Sequence, residues 1–102
     1  MTNDFRRVLE ALGETAGVET GRMFGSDALK VGGKVFSICV KDRLVVKLPE
    51  QRAKELIQRK LAAPFDPGHG RIMKEWVAIA PDTPLDWTAI SKESKAFVAR
   101  SR

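Results

Sequence analysis

The sequence predicts an α+β fold, in which an antiparallel β-sheet of about five strands is flanked by three helices in the order α-β-β-β-β-α-β-α. Two β-hairpin patterns follow one another between residues 21 and 49, and amphipathic helix patterns lie near both ends of the chain. A further helix pattern and one strand pattern lie between them. Since 102 residues can bury about 60 to 70 per cent of their unfolded surface in one core, we expect residues 1–102 to form a single domain.

The N-terminal helix is predicted over residues 4–16, because apolar side chains recur there at helical spacing. Those side chains are Phe5, Val8, Leu9, Leu12 and Ala16. Asp4 stands at the expected N-cap and Gly17 at the expected C-cap. Residues 18–24 then form the first predicted strand, which Gly25 ends.

The first hairpin is predicted to turn at Gly32 and Gly33, because two glycines tolerate the positive φ that a two-residue type I′ turn requires. The cross-strand pairs that follow from this turn are Val31 with Lys34 and Leu29 with Phe36. This register places apolar side chains together on one face of the sheet.

The second hairpin turns near residues 41–43, where two loop lengths are open. A three-residue loop, which we favour, predicts the pairs Val40 with Leu44, Ile38 with Val46, and Phe36 with Leu48. A two-residue loop of Asp42 and Arg43 would lose this apolar match. The opposite face is predicted to be half exposed and carries Ser37, Cys39, Arg43, Val45 and Lys47.

Pro49 ends the sheet pattern and suits the first turn of a helix over residues 50–61, since its missing N–H costs nothing there. Residues 62–71 are too rich in Pro and Gly for regular structure, and a connection of this length is either functional or simply long. Residues 72–80 alternate like a strand. Its two faces carry Trp76 and Ala78 on one side, and Val77 and Ile79 on the other.

The start of the last helix is predicted from Thr83, Pro84 and Asp86, because an N-cap, a proline at N1 and a carboxylate at N3 resemble a capping box. The predicted buried side of this helix consists of Trp87, Ile90, Ser94, Phe97 and Val98.

The charge of the chain is unevenly distributed. The net charge is +5, and residues 41–60 hold seven basic and three acidic side chains. Such a concentration favours polyanion binding, although solvated lysines on an ordinary surface would give the same composition. The predicted phosphate-facing patch consists of Lys41, Arg43, Lys47, Arg52 and Arg59.

No catalytic, cofactor or metal site is predicted, and we expect that the protein is not an enzyme. Gly33 and Lys34 lack the remaining residues of a phosphate-binding loop. His69 is the one histidine, so a histidine cluster cannot form, and we expect His69 to bond backbone in its loop. Cys39 lies in an apolar strand pattern, which is typical of a packing residue.

The sequence contains no run of about 18 apolar residues and no secretory signal pattern at its N-terminus. Its single cysteine cannot form an intramolecular disulfide. We therefore expect a cytoplasmic protein without a membrane partner.

Four motifs, in their order along the chain, carry a family resemblance. They are Met23–Gly25, Gly33–Phe36, Leu44–Pro49 and Pro64–Phe65. Over residues 15–80 the chain resembles the N-terminal domain of the TfoX/Sxy family, regulators linked to natural competence. The C-terminal part, with Trp76, Trp87, Phe97 and Val98, more distantly resembles the YjbR/MmcQ proteins, which have a proposed DNA-binding role. The resemblance implies an α+β fold with helices packed on an antiparallel sheet, and it implies no enzyme activity.

Two functions remain open from the sequence. The first is a non-enzymatic regulatory domain that associates with nucleic acid weakly, through phosphates and without sequence preference. The second is a protein-interaction module in which either a sheet edge, such as the exposed backbone of strand 18–24, or the region of Trp76 meets a second copy or another chain. Salt-sensitive DNA binding would favour the first function, and salt-insensitive self-association would favour the second.

Overall fold

The computed structural model of the protein describes residues 3–13, 15, 17–23, 26–65 and 73–100. The elements in chain order are α1 (Asn3–Leu12), β1 (Val18–Met23), β2 (Ser26–Val31), β3 (Lys34–Val40), β4 (Arg43–Lys47), α2 (Glu50–Gln58), β5 (Ala63–Phe65), β6 (Met73–Ile79) and α3 (Trp87–Arg100). Helix α1 begins at Asn3, so Asp4 lies inside the helix and the prediction that Asp4 is its N-cap is wrong. Gly25 and His69 lie outside the described residues, so the predictions made for them stay predictions.

The described strands form one antiparallel sheet in the order β1-β2-β3-β4-β6-β5. This confirms the predicted α+β class with its antiparallel sheet and three helices. The strand missed by the sequence is β5, which lies within the segment predicted to be irregular. It spans three residues at the edge of the sheet and contains Pro64, and such a short edge strand has no readable alternation.

All three described helices pack on one face of the sheet. Their buried apolar side chains belong to a single core cluster with those of the strands, and its members include Phe5, Val8, Leu29, Phe36, Val46, Leu56, Val77 and Ile90. A second, smaller cluster lies on the opposite face and contains strand residues, with no helix residue among those described. We call this opposite side the helix-free face.

The first hairpin turns at Gly32 and Gly33, whose φ values are 60° and 78°, and Val31 faces Lys34 as predicted. The predicted pairing of Leu29 with Phe36 is wrong, because Leu29 faces Ser37. A β-bulge at Phe36 shifts the register between Leu29 and the next residue. The bulge lets two successive side chains, those of Phe36 and Ser37, face the helices: Phe36 joins the helix-side core, and the Ser37 hydroxyl lies 3.1 Å from that of Ser91.

The second hairpin has a two-residue turn of Lys41 and Asp42, so neither predicted loop is correct. Both turn residues have positive φ, 51° and 63°, as a type I′ turn requires. The observed pairs are Val40 with Arg43, Cys39 with Leu44, Ile38 with Val45, and Ser37 with Val46. Because the bulge at Phe36 has already exchanged the two faces of β3, this tighter turn still joins apolar residues across the strands.

The assignment of side chains to the two faces changes with the bulge. Phe36, Ile38, Val46 and Leu48 are all buried, as predicted, but Ile38 lies on the helix-free face and the other three on the helix side. The predicted half-exposed face is also wrong, because Ser37, Cys39 and Val45 are buried. On β6 the prediction is confirmed: Trp76 and Ala78 share the helix-free face, and Val77 and Ile79 face the helices.

The helices are shorter than their patterns predict. The described helix α1 ends at Leu12, and α2 ends at Gln58, followed by Lys60 with a φ of 60°. Helix α3 begins at Trp87 because Asp86, and not Thr83, caps it: the Thr88 N–H donates to Asp86 Oδ1 at 2.9 Å. The predicted buried side of α3 is confirmed, with Phe97 half-buried.

Candidate functional site

A row of mostly small side chains crosses the whole sheet on the helix-free face. Direct register pairs connect Gly21, Ala28, Ile38, Val45, Ala78 and Ala63 from β1 to β5. The middle of this row is buried, since Ala28 and Ile38 are 0% exposed and Val45 is 1% exposed. We call it the transverse row. Val35, Val40, Phe65 and Trp76 pack against it and are themselves half-buried, so these larger side chains form much of the apolar surface of this face.

Basic residues predominate at the charged strand positions of the helix-free face. Arg43 and Lys47 share this face with Val45, because side chains two residues apart on a strand point the same way. The Lys30 side chain lies over Gly21, where an added Cβ would meet its Cε at 2.8 Å. Glu19, opposite Lys30, is the acidic residue among the described strand positions of this face, and Lys74 is a further basic one.

Arg43 and Lys60 meet at a shallow hollow of about 210 Å³ at one end of this face. The hollow is also lined by Leu61, Ala62, Ala63, Ala78, Ala80 and Thr83. The chain brings Lys60 there by turning after the end of α2, so that residues 60–62 lead into β5, where Ala63 pairs with Ala78 of β6. Both cations are exposed, and no carboxylate is among the described residues that line the hollow. An anionic group placed here would meet two positive side chains and a small apolar floor.

The predicted phosphate-facing residues occupy different parts of the molecule. Arg43 and Lys47 lie on the helix-free face, at opposite ends of β4, and Lys41 is exposed in the turn before it. Arg59 is exposed at the C-cap of α2. Arg52 lies on α2 in the helix layer, away from the helix-free face. Their role in phosphate binding stays a prediction.

Arg52 is engaged by carboxylates. Its Nε and Nη2 donate to the two carboxylate oxygens of Glu93 on α3, at 3.0 and 3.1 Å, and its Nη1 also donates to Glu55. These hydrogen bonds, first from Glu93 and then from Glu55, raise the pKa of Arg52 above its usual value. Arg52 therefore connects α2 to α3. The cation that lines the hollow together with Arg43 is Lys60, which was not among the residues predicted from the sequence.

Two further hollows lie away from the helix-free face. One, of about 330 Å³, is lined by Phe5, Arg22, Ser26, Asp27, Cys39, Lys41 and Asp42. Its cations and carboxylates balance, and Arg22 pairs with Asp27 at 3.5 Å. Cys39 is 8% exposed and belongs to the helix-side core, as expected of a packing residue. Within the described ranges, no group of three His, Cys, Asp or Glu side chains could hold a metal ion.

The other hollow, of about 290 Å³, lies at the start of α3 and is lined by Arg7, Pro81, Thr83, Leu85, Asp86, Trp87 and Thr88. Trp87 is 4% exposed, and its buried Nε1 has no hydrogen-bond partner among the described residues. Asp86 already accepts from the first turn of α3, so its carboxylate opposes any anion at that helix end. Among the described helices, none is both long enough and apolar enough to span a membrane.

These features define an α+β domain whose antiparallel sheet has helices on one face and predominantly basic charged residues at the strand positions of the other. The family model of the TfoX N-terminal domain matches residues 10–95. Because this match covers most of the 102 residues, the chain belongs to the TfoX N-terminal domain family. No curated protein matches the sequence.

Proposed function

We propose that this TfoX N-terminal domain is a non-enzymatic regulatory domain that associates weakly with nucleic acid, through phosphate contacts made by its helix-free face. The observation that carries the proposal is the gathering of Lys30, Arg43, Lys47 and Lys60 on or beside this face, where Glu19 is the opposing charge at a described strand position. Lys and Arg side chains supply most of the sequence-independent affinity of proteins for nucleic acid.

The same surface offers little means of reading a base sequence. The chain has three carboxamide side chains, those of Asn3, Gln51 and Gln58, and all three belong to helices. Direct readout of base edges depends largely on bidentate Arg, Asn or Gln contacts in a groove. We therefore expect binding that is weak and indifferent to sequence. Family membership supports a regulatory role of the kind linked to competence, which would be exercised in the cytoplasm.

The test compares charge reversals on and off the helix-free face. In the first variant Arg43→Glu and Lys60→Glu are combined, and in the matched control Lys54→Glu and Lys92→Glu, which are exposed on α2 and α3. Both variants change the net charge equally. At low salt, duplexes of unrelated sequence should bind the parent and the control, and should lose most of their affinity for the first variant.

Gel shift or fluorescence anisotropy measures the outcome, and thermal melting verifies that each variant folds. Absence of duplex binding by the parent at low salt would reject the proposal. Equal losses in the two variants would also reject it, because the charge of the whole molecule would then explain the effect.

A second candidate function is self-association through β1. This strand lies at the edge of the sheet, spans six residues and contains no proline, whereas the opposite edge strand β5 is short and carries Pro64. An unpaired strand backbone is a template for a further strand. Of the two edge strands, β1 is therefore the one on which a second copy can pair over the greater length.

Light scattering over a concentration series tests this candidate. Self-association through backbone hydrogen bonds should increase with concentration and respond weakly to salt. A monomer mass at every concentration would reject the candidate and leave the nucleic-acid proposal untouched.

A further inference from the structure

We propose that the helix-free face takes single-stranded nucleic acid, with a base stacked on Trp76 and the adjoining phosphates held by Lys47 and Arg43. This inference rests on the proposed function and specifies the class of its ligand. It rests on two observations, an accessible aromatic ring on this face and cations beside that ring. The preference for a single strand over a duplex then follows from how bases stack.

Trp76 supplies the ring. It packs against the buried transverse row, which contains Ala78 and Val45, and it remains half-buried, so part of the indole meets solvent. The other tryptophan, Trp87, is 4% exposed in the helix-side core. Of the two tryptophans in the sequence, Trp76 is therefore the one that a ligand can reach. A ring supported from beneath by packed side chains is already ordered, which lowers the entropic cost of stacking on it.

The cations lie where a strand stacked on Trp76 would place its phosphates. Lys47 on β4 is the direct register partner of Trp76 on β6, so the Cα atoms of the two residues are about 4.5 to 5.5 Å apart on neighbouring strands. Arg43 lies on the same side of β4, four residues away, or about 13 Å along the strand. Lys60 lies beside Arg43 at the hollow. An anionic backbone running along β4 would thus meet positive charge at both ends while its base covers the indole.

The form of the ligand follows from the ring. In a duplex both faces of each internal base are stacked on neighbouring bases, so an indole on a sheet has no base face to meet. A single strand offers free base faces, and stacking on a protein aromatic side chain is favourable for every base type. The charge of the face is complementary to a polyanion and unsuited to a basic partner. Phe65, half-buried against the same row, adds apolar surface next to Trp76.

The experiment measures the affinity of an oligothymidine strand and of a duplex of equal length for three proteins: the parent, Trp76→Leu and Trp76→Phe. Trp76→Leu should weaken single-strand binding by roughly 5- to 150-fold, which is the loss of affinity expected when one base no longer stacks on an aromatic ring. Trp76→Phe should retain most of the affinity, because phenylalanine still presents an aromatic face. Duplex affinity should be the same in all three proteins. Unchanged duplex affinity of Trp76→Leu shows that this variant is folded.

Intrinsic fluorescence gives a second readout that does not depend on mutation. The oligothymidine strand should quench the emission of the exposed Trp76 in the parent, and it should leave the residual emission of Trp76→Phe, which comes from buried Trp87, unchanged. Unaltered single-strand affinity in Trp76→Leu, or equal affinity of the parent for strand and duplex, would overturn the stacking inference while the phosphate-binding proposal stands. Absence of binding to both nucleic acids at low salt would overturn the two together.

Discussion

At the scale of single residues, one buried serine attaches α3 to the sheet. Ser94 is 0% exposed, and its hydroxyl oxygen lies 2.7 Å from the Phe36 carbonyl oxygen and 2.6 Å from that of Lys47. A hydroxyl has one hydrogen, so it donates to one of these carbonyls at a time. Phe36 is the bulged residue of β3, and Ser94 therefore satisfies a carbonyl beside the irregularity in the sheet.

Removing the Ser94 hydroxyl should lower the stability of the protein more than the loss of so small a group suggests. We expect Ser94→Ala to lower the free energy of unfolding by about 1 to 3 kcal/mol, because a buried carbonyl oxygen would lose its donor. The matched control is Ser91→Ala, which removes a hydroxyl that contacts another hydroxyl, that of Ser37, and should cost less. Urea denaturation measures both variants. A Ser94→Ala variant as stable as the parent would show that the hydroxyl is not required at the bulge.

At the scale of elements, the two hairpin turns have the same backbone form but different residues. The first uses two glycines, and the second places Lys41 and Asp42 at positive φ. An ideal Cβ built on Gly33 meets no heavy atom within 4 Å, so a side chain there would be opposed by backbone strain alone. The pair of turns therefore isolates the cost of positive φ from steric effects.

We expect opposite effects from substitutions in the two turns. Gly33→Ala should destabilise the protein by about 1 to 2 kcal/mol, the cost of a left-handed conformation for an L-residue. Asp42→Gly should stabilise it by about 0.5 to 1 kcal/mol, because relief of strain exceeds the extra entropy of glycine in the unfolded chain. Chemical denaturation gives both values. A stabilising Gly33→Ala variant would contradict the observed φ of 78°.

The contact between α2 and α3 yields a different prediction for Arg52. Its partners Glu93 and Glu55 have side chains that are 46% and 52% exposed, so solvent screens these ion pairs. A double-mutant cycle of Arg52→Met and Glu93→Gln should give a coupling energy of about 0.2 to 1 kcal/mol. The pKa of Arg52 is raised, so its contribution is fully present below the ordinary arginine pKa and is lost only as pH rises beyond it.

The same variant separates stability from binding. Arg52→Met should leave duplex affinity unchanged, since Arg52 lies in the helix layer, whereas Arg43→Met should weaken it. If Arg52→Met lowered duplex affinity as much as Arg43→Met, Arg52 would also have to contact phosphates.

At the scale of the whole molecule, the sheet separates two chemically different sides. In the helices, seven basic side chains are mixed with five acidic ones, among them Glu93 and Glu55. At the described strand positions of the helix-free face, four basic residues face one acidic residue, Glu19, so positive charge is more one-sided there. This polarity is what a flat nucleic-acid interface requires, because it orients the protein before contact.

The polarity predicts a definite dependence of binding on salt. If about three to five phosphates are neutralised, log K for a duplex should fall against log salt with a slope of roughly −3 to −4.5. The combined Arg43→Glu and Lys60→Glu variant should have a slope shallower by about 2, one unit for each lost contact. Titrations at several salt concentrations measure the slope, and a nearly flat dependence would indicate that phosphates are not the ligand.

Much of the fold is determined by local pattern. The two turn glycines, the alternation of β6 and the helical spacing around Phe5 and Ile90 each depend on neighbouring residues, and the structure agrees with them. The shared face of Arg43, Val45 and Lys47 was likewise predictable, because alternation along a strand needs no knowledge of the rest of the chain. The family resemblance, too, was evident in the order of its motifs, and the family match confirms it.

Two features depend on the tertiary structure alone. They are the face of the sheet on which each β3 side chain lies, and the set of cations that lie close together. The bulge at Phe36 is held by Ser91 and Ser94, which lie more than fifty residues further along the chain, so no local pattern could predict it. The position of Lys60 beside Arg43 and the ion pair of Arg52 with Glu93 likewise depend on how α2 packs on the sheet beside α3. Each of these features is a contact between two segments that are distant in the sequence. Such a contact forms only when both segments have packed, so neither segment alone can predict it.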